Sequence, residues 1–210
     1  MFSWDESQAT LVNPQPTYEL ELTKTSVLNN VLRLDGQPRF LISTVDAAAA
    51  ITKITDLSTN QLLVTIRRRA LLPDDIKFTY HYDGEAVKMK EWLREEQSED
   101  GHTQWMIDTP MGSYIWRIQV TLRLSLCPIN DIDNPIAWVK HETPTSPITA
   151  LVLKRGTESF MDEILAGFLI LELKLRMKEK EMTKAFGWNA NKRYVLGTMY
   201  ADTGNFNRRQ

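Results

Sequence analysis

The sequence predicts a mainly β fold: an antiparallel, barrel-like sheet of about twelve strands that encloses one hydrophobic helix near the C-terminal end. Short segments in which apolar and polar residues alternate follow one another between residues 17 and 153, with turn residues between them. Short strands at this spacing are typical of a closed or nearly closed antiparallel sheet. One long apolar segment, at residues 159–182, follows the last strand and predicts the helix.

Turn residues mark the boundaries between the predicted strands. Asp35 and Gly36 separate the second strand from the third as a hairpin, because glycine accepts a positive φ. A polar turn is predicted at residues 57–60 and an acidic turn at residues 95–101. The predicted strands are residues 18–22, 30–34, 39–43, 51–55, 62–66, 76–82, 103–107, 114–120, 122–126, 136–140 and 148–153, and residues 85–92 follow the sixth of them.

The helix at residues 159–182 is predicted to form the core of the sheet. Ser159 is the predicted N-cap, and the acidic first turn that follows suits the helix dipole. Residues 164–171 have no polar face, so this part must be buried on all sides. The apolar run is far shorter than the roughly 20 residues that span a bilayer, so no transmembrane segment is expected. Gly167 predicts the close approach of a strand, because glycine costs about 1 kcal/mol relative to alanine inside a helix.

Composition gives expectations about partners, location and domain organisation. The net charge of −2 neither favours nor excludes a polyanionic ligand, and nucleic acid is not expected because no RNP-type aromatic motif or glycine-rich phosphate loop is present. Cys127 has no second cysteine to pair with, which favours a reducing, cytoplasmic location. We expect a flexible arm at residues 1–16, one domain at residues 17–183 and a tail at residues 184–210.

A set of motifs spread over residues 17–182 carries a family resemblance. The motifs are Asn30, residues 34–36, Phe78, residues 112–117, residues 150–153, residues 161–165 and Phe168. Through them the chain resembles the fungal DUF6593 family of uncharacterised proteins, and its architecture is similar to that of the tubby C-terminal, LURP-one-related and phospholipid scramblase proteins. The resemblance implies a barrel of about twelve strands around a hydrophobic helix and supplies no catalytic residue. The tubby group implies phosphoinositide binding.

A cluster of basic residues is the strongest candidate for a ligand site. Arg67 and Arg69 share one face of a predicted strand, and Lys77 and Lys88 are expected on neighbouring strands. Guanidinium groups bind phosphate in a bidentate manner, so these four residues predict a phosphate or lipid-headgroup site. The alternative is solvated charge at a strand end, with the acids at residues 74–75 as local partners.

Catalytic residues are harder to predict from this sequence. His81, Asp83 and Glu85 are the candidates for a polar pocket at one end of the barrel. The alternative for the histidines is a surface or structural role, because His81, His102 and His141 lack the spacing of a zinc site.

Two further segments contain residues that could bind a metal ion or act as a nucleophile, and each also has a purely structural explanation. Asp131 and Asp133 lie in an Asn-Asp-Ile-Asp-Asn run whose oxygens suit calcium, although an Asx-type turn before Pro135 explains the same residues. Cys127 has no neighbouring base, so it is predicted to be a small packing residue. We expect no cofactor and no metal.

Three functional hypotheses follow. The first is a non-enzymatic module that binds a lipid or phosphate headgroup, with an anionic lipid or a phosphoinositide as its partner and a position peripheral to membranes. The second is a protein-interaction or structural module that uses the arm and the tail at residues 184–210. The third is an enzyme of fungal specialised metabolism with a pocket at a barrel end, and it ranks last because a helix fills the barrel.

Replacement of Phe168 with Asp should prevent folding, because a charge would enter the centre of the core helix. Changes at Lys178 or Lys180 should be mild, since the end of the helix is predicted to be solvated. Circular dichroism and the soluble yield of each variant measure both outcomes. A folded, soluble Phe168→Asp protein would contradict the assignment of this helix to the core.

Overall fold

The structure is a computed structural model that describes residues 17–45, 50–119, 122–141 and 148–186. Within these residues, thirteen strands form one antiparallel sheet. The strands are β1 Thr17–Leu22, β2 Asn30–Leu34, β3 Gln37–Thr44, β4 Ile51–Asp56, β5 Gln61–Arg67, β6 Asp75–Phe78, β7 Ala86–Lys88, β8 Arg94–Gln97, β9 Thr103–Thr109, β10 Gly112–Arg117, β11 Ser125–Pro128, β12 Ala137–His141 and β13 Ile148–Lys154. The α-helices are α1 Met89–Trp92 and α2 Met161–Phe186, and single 3₁₀ turns form at Tyr82–Gly84 and Glu158–Phe160.

The strand order follows the chain on both sides of one long-range pair. β1 pairs with β13, and from this pair the order runs through β2 to β7 on one side and through β12 to β8 on the other. The two edge strands, β7 and β8, are therefore consecutive in the chain, with α1 between them.

The sheet is not closed into a barrel, which corrects the predicted closure. β7 has three residues, and the chain then turns into α1, where the Leu93 amide bonds to the Met89 carbonyl 2.8 Å away. Backbone groups at this point form helical hydrogen bonds instead of a ladder with β8. Trp92 of α1 is buried and joins the hydrophobic core between the two edges.

Apolar residues on one face of the strands build the core. In β3 to β6, Ile42, Ile54, Val64 and Phe78 lie directly opposite one another across four neighbouring strands. Each is at most 1% exposed. Cross-strand pairs of this kind are the main packing unit of a sheet, so the alternation read from the sequence produces one continuous apolar surface.

Helix α2 packs on that surface, as its lack of a polar face predicts. Every residue of the segment 162–172 is buried, and Phe168 is fully buried within the same hydrophobic cluster as the inner strand residues. Lys174 and most later described residues are exposed or half-buried, so the helix leaves the core near its middle. The helix begins at Met161, and the predicted N-cap Ser159 lies in the preceding 3₁₀ turn.

Gly167 gives a strand side chain room to contact the helix backbone. A Cβ atom added here would overlap the Trp116 Nε1 atom and lie 3.0 Å from Trp116 Cε2. Trp116 belongs to β10 and is fully buried, so its indole cannot move aside easily. The close approach predicted from Gly167 is therefore a contact with an indole ring.

A buried carboxylate ties the middle of α2 to two loops. Glu172 is fully buried and accepts hydrogen bonds from Arg123 Nε at 2.9 Å and from Arg176 Nε at 2.6 Å. Arg176 also donates to the Thr25 carbonyl, and Arg123 also pairs with Glu179. A buried charge is tolerated when it is paired in this way, so Glu172 holds the helix in one register.

The Gly167→Ala substitution should lower the free energy of unfolding by about 1–3 kcal/mol, because overpacking against Trp116 outweighs the better helix propensity of alanine. Chemical denaturation measures the change. In a Trp116→Phe background the smaller ring should relieve the overlap, so the same substitution should cost less there. Equal costs in both backgrounds would contradict a direct contact.

Candidate functional site

The chain reverses sharply between β6 and β7. Tyr82, Asp83 and Gly84 all have left-handed backbone conformations, with φ of 55°, 54° and 65°. The strand predicted at residues 76–82 consequently ends at Phe78. A bulky residue such as tyrosine rarely adopts positive φ, at a cost of about 1–3 kcal/mol, so tertiary contacts must hold it there.

Tyr82 makes those contacts through both its ring and its hydroxyl group. The ring lies 5.3 Å from the Phe78 ring, which in turn lies 5.1 Å from the Trp92 ring. The hydroxyl accepts a hydrogen bond from Trp92 Nε1 at 3.1 Å and lies 2.7 Å from Glu163 Oε1 and 2.9 Å from the Asp108 carbonyl. Tyr82 therefore joins the loop to α1, β9 and α2.

The same loop brings His81 to the first turn of α2. His81 Nε2 lies 3.4 Å from Asp162 Oδ1, and both side chains are mostly buried. Burial raises the pKa of Asp162, and the neighbouring His81 and the Glu163 amide oppose that rise. The pair is a partly desolvated contact between a histidine and a carboxylate.

Glu163 is the most unusual acid in the described part of the chain. Its side chain is fully buried, and its Oε2 atom has no hydrogen-bond partner among the described residues. Burial raises the pKa of Glu163 to about 7; the charge of Asp162 adds to the rise, and the bond from Tyr82 opposes it. Burial and the bond to Glu163 raise the pKa of Tyr82 in turn.

We call His81, Tyr82, Asp162 and Glu163 the helix-start cluster. One nitrogen of His81 and one carboxylate oxygen from each of Asp162 and Glu163 all lie within 4.8 Å of one another. A carboxyl group that titrates near neutral pH suits proton transfer, and a histidine with two carboxylates suits a metal ion. The cluster is therefore able to support either kind of chemistry.

The structure separates the three catalytic candidates taken from the sequence. His81 lies in the helix-start cluster, whereas Asp83 and Glu85 are exposed and lie outside it. His102 is half-buried in the turn between β8 and β9, where its amide bonds to Ser98 Oγ. The side chain of His141 lies outside the described residues.

Sequence reasoning missed Tyr82, Asp162 and Glu163 as members of one site. The acids were assigned to the helix dipole, which needs only their place in the first turn. One signal points further: the fully apolar block at residues 164–171 follows them directly. A helix that enters the core at its first turn also takes its first acids out of water.

Three of the four basic candidates, Arg67, Lys77 and Lys88, lie on neighbouring strands, and Arg69 lies in the loop after β5. Arg67, Asp75 and Lys88 are directly opposite one another on β5, β6 and β7. Lys77 lies two residues after Asp75 on β6, and therefore on the same face of the sheet. The neighbouring strands of Arg67, Lys77 and Lys88 agree with the expectation, but Arg69 does not share a strand with Arg67, because β5 ends at Arg67. Phosphate binding itself stays a prediction.

Acidic neighbours pair with most of these cations. Asp75 pairs with Arg69 and lies 4.0 Å from Arg67 Nη1, and Lys88 Nζ lies 2.8 Å from Glu91 Oε1. These are the local acidic partners that the alternative interpretation describes. Asp75 is nearly buried, whereas the Lys88–Glu91 pair is exposed and is of the kind that contributes little to stability.

The loop between β5 and β6 projects apolar side chains into solvent. Leu71 is 97% exposed and Leu72 is 60% exposed. The base of the loop is held closed, because the Arg69 amide donates to Asp74 Oδ1 at 2.8 Å and the Met89 amide donates to the Asp74 carbonyl at 2.9 Å. We call residues 68–74 the leucine loop.

The remaining candidates have structural explanations. Asp131 and Asp133 lie in an exposed turn, where the Asn134 amide and side chain both bond to Asp131. Among the described residues, the group of potential metal ligands that comes together is the one in the helix-start cluster. Cys127 is fully buried, as the predicted packing role requires, and burial raises the pKa of its thiol.

The predicted arm at residues 1–16 lies outside the described residues, as does the tail beyond residue 186. Among the helices that the structure describes, none combines the length and the hydrophobicity needed to cross a bilayer.

The Glu163→Gln substitution should stabilise the metal-free protein at pH 8 and have little effect at pH 4.5. The folded state raises the pKa of this acid from 4.5 to about 7, so the unfolded chain releases the proton first as pH rises. As the pH rises from 4.5 to 8, the free energy of unfolding of the wild type should fall by up to about 3 kcal/mol relative to that of the variant. Denaturation curves in the presence of a chelator measure this difference.

The exposed Glu181→Gln variant on the same helix serves as the control and should follow the wild type at every pH. Parallel pH profiles for wild type and Glu163→Gln would contradict the assignment of a buried, neutral acid to Glu163.

Comparison with known proteins places the chain in a family. Residues 10–177 match the family of unknown function DUF6593, a span that includes the basic candidates, the leucine loop and the helix-start cluster. No curated protein and no solved structure gives a significant match. Because the match covers most of the 210 residues, the chain belongs to the DUF6593 family.

Proposed function

We propose that the protein is a non-enzymatic module that binds anionic phosphate headgroups at a membrane surface. The observation that carries this proposal is the leucine loop, in which Leu71 and Leu72 are exposed a few residues after Arg67 at the end of β5 and Arg69 in the loop itself. Exposed apolar side chains next to cations match the two layers of a membrane interface, with headgroups outside and acyl chains inside.

The cations extend from the loop across the outer face of four strands. Lys53, Thr65 and Lys77 form one row of directly opposed residues on β4, β5 and β6. The row with Arg67 and Lys88 lies beside it. We call this surface the basic face: its cations are Lys53, Arg67, Arg69, Lys77 and Lys88, and its acids are Asp74, Asp75 and Glu91.

Five cations against three acids give the basic face a positive balance in a chain whose net charge is −2. Lys53 and Lys77 are exposed, with no ion pair to another described residue. Such a local excess attracts anionic lipids at about 1 kcal/mol per basic residue near the surface.

Asp75 arranges the two arginines beside the loop. It is nearly buried and draws the guanidinium groups of Arg67 and Arg69 to one side. Each guanidinium has five N–H donors, so contacts with one carboxylate leave donors for a phosphate. Asp75 therefore limits the freedom of both arginines without using all of their hydrogen-bonding capacity.

A membrane explains the surface better than a free phosphate ion, because a free ion would not use the leucines. Burial of one leucine side chain contributes about 1.5–3 kcal/mol. Val45 is also exposed, and two hydrogen bonds place it near the leucine loop. The Val45 amide bonds to the Ile51 carbonyl, and the Arg68 amide bonds to the adjacent Ala50 carbonyl.

The alternative functions rest on other parts of the chain. A protein-interaction role was assigned to the arm and the tail, for which the structure describes no residue up to 16 or after 186. An enzymatic role was assigned to His81, Asp83 and Glu85, of which only His81 lies in the helix-start cluster.

A vesicle flotation experiment tests the proposal with neutral phosphatidylcholine vesicles and with vesicles that also contain phosphatidylserine or a phosphoinositide. The wild type should bind the anionic vesicles only. The Arg67→Ala/Arg69→Ala variant should bind them about thirty-fold more weakly, since two basic contacts contribute about 2 kcal/mol. Leu71→Asp/Leu72→Asp should lose binding at any headgroup composition.

Matched controls change exposed residues elsewhere. Lys178→Ala/Lys180→Ala removes two cations from α2, and Met177→Asp replaces an exposed apolar residue there. Both should bind like the wild type. Equal binding to neutral and anionic vesicles would overturn the headgroup assignment. Two results together would instead identify a site for free phosphate. Inorganic phosphate would displace the protein from anionic vesicles, and the Leu71→Asp/Leu72→Asp variant would bind those vesicles like the wild type.

A further inference from the structure

We propose that His81, Asp162 and Glu163 form a binding site for one divalent transition-metal ion, with Zn²⁺ as the preferred ion. This inference concerns the helix-start cluster and is independent of the basic face. It rests on the donor atoms that converge there, on one buried oxygen without a partner, and on the rigid frame that holds them.

The donor atoms are close to the spacing that a metal ion requires. Bonds of about 2.0–2.1 Å in tetrahedral geometry place ligand atoms about 3.4 Å apart. The distance from His81 Nε2 to Asp162 Oδ1 is 3.4 Å, long for a hydrogen bond and suited to two ligands of one ion. The Glu163 oxygen lies within 4.8 Å of the other two donors, so a shift of at most about 1.4 Å completes the set.

An independent observation comes from Glu163 Oε2. This atom is buried without a hydrogen-bond partner among the described residues, although buried polar atoms are nearly always satisfied. The other oxygen of the same carboxylate is held 2.7 Å from the Tyr82 hydroxyl. A carboxylate that is oriented through one oxygen and vacant at the other is the usual arrangement of a metal ligand with its supporting hydrogen bond.

The frame around the three ligands is rigid. Asp162 and Glu163 are consecutive residues of a helix turn that burial of the following segment fixes in the core. His81 is placed by the left-handed residues 82–84, and Tyr82 is held by bonds to α1 and β9. Strain of this kind is found at ligand sites, where the surrounding structure maintains it.

The donor set selects the type of ion. Ca²⁺ takes six to eight oxygen ligands, and Mg²⁺ requires octahedral oxygen geometry. One imidazole and two carboxylates instead suit Zn²⁺ or Mn²⁺, and Zn²⁺ binds such sites more tightly in the general order of divalent affinities. Three protein ligands leave the fourth tetrahedral position to a water molecule or an anionic ligand.

Titration of the chelator-treated full-length chain with ZnCl₂, followed by isothermal calorimetry and thermal unfolding, tests the site. We expect one Zn²⁺ per chain and a rise in melting temperature, weaker binding of Mn²⁺, and no comparable effect of Ca²⁺ or Mg²⁺. Visible absorption of the Co²⁺ form should show the intense bands of a tetrahedral site. Absence of stoichiometric Zn²⁺ binding would overturn the proposal.

Variants assign the binding to these residues. Glu163→Gln keeps an acceptor for Tyr82 but removes the charge, so it should weaken Zn²⁺ binding at least a hundred-fold, and His81→Ala should do the same. Tyr82→Phe should weaken binding ten- to a hundred-fold, as loss of a supporting hydrogen bond does.

Half-buried His102 and exposed Asp83 lie outside the three proposed ligands and provide controls. Both His102→Ala and Asp83→Asn should bind like the wild type, because asparagine tolerates the left-handed conformation of residue 83. Because His81 is partly exposed, His81→Ala tests the site even if Glu163→Gln fails to fold. Wild-type affinity in a folded His81→Ala or Glu163→Gln protein would show that the ion binds elsewhere and overturn the assignment.

Discussion

The burial of a helix segment that has no polar face is the constraint on which the rest of this structure depends. Residues 164–171 cannot face water on any side, and the inner surface of thirteen strands supplies their surroundings. The same burial draws in the acids at both ends of the block. At one end Glu172 is paired with arginines. At the other end Glu163 bonds to one hydroxyl group, and its second oxygen has no partner within the described part of the chain. Core packing and the candidate chemistry therefore have a common origin.

Much of the sheet could be predicted from the sequence, because apolar residues alternate wherever one face of a strand is buried. β2 is found at the predicted residues 30–34. β8 was predicted as an acidic turn, since Arg94–Gln97 is an edge strand without an apolar residue. Closure could not be predicted, because it depends on whether a few residues after β7 form a helical turn or a ladder. Within the described residues, the buried Trp92 side chain lies where a thirteenth strand pair, between β7 and β8, would close the sheet.

The two candidate surfaces differ in how far local sequence could reveal them. The basic face is built from β4 to β7, which are consecutive antiparallel strands, so residue spacing alone indicated that its cations are neighbours. The helix-start cluster joins residues about 80 positions apart. Its assembly depends on the left-handed conformation of Tyr82, a residue type that gives no sequence signal for such a turn. A prediction from alternation therefore finds the first surface and only one residue, His81, of the second.

The pairing of β1 with β13 has a consequence for how the chain acquires this structure during synthesis. Strands β2 to β7 can form hairpins as they leave the ribosome, because each pairs with its neighbour in the chain. β1 must wait for its second partner, since Tyr18 lies opposite Leu153, and the helix that covers the apolar face is made later still. Most of the described sheet is thus translated before its core exists. Such a nascent chain exposes a wide apolar surface with unpaired edges, the kind of intermediate that aggregates or is bound by chaperones.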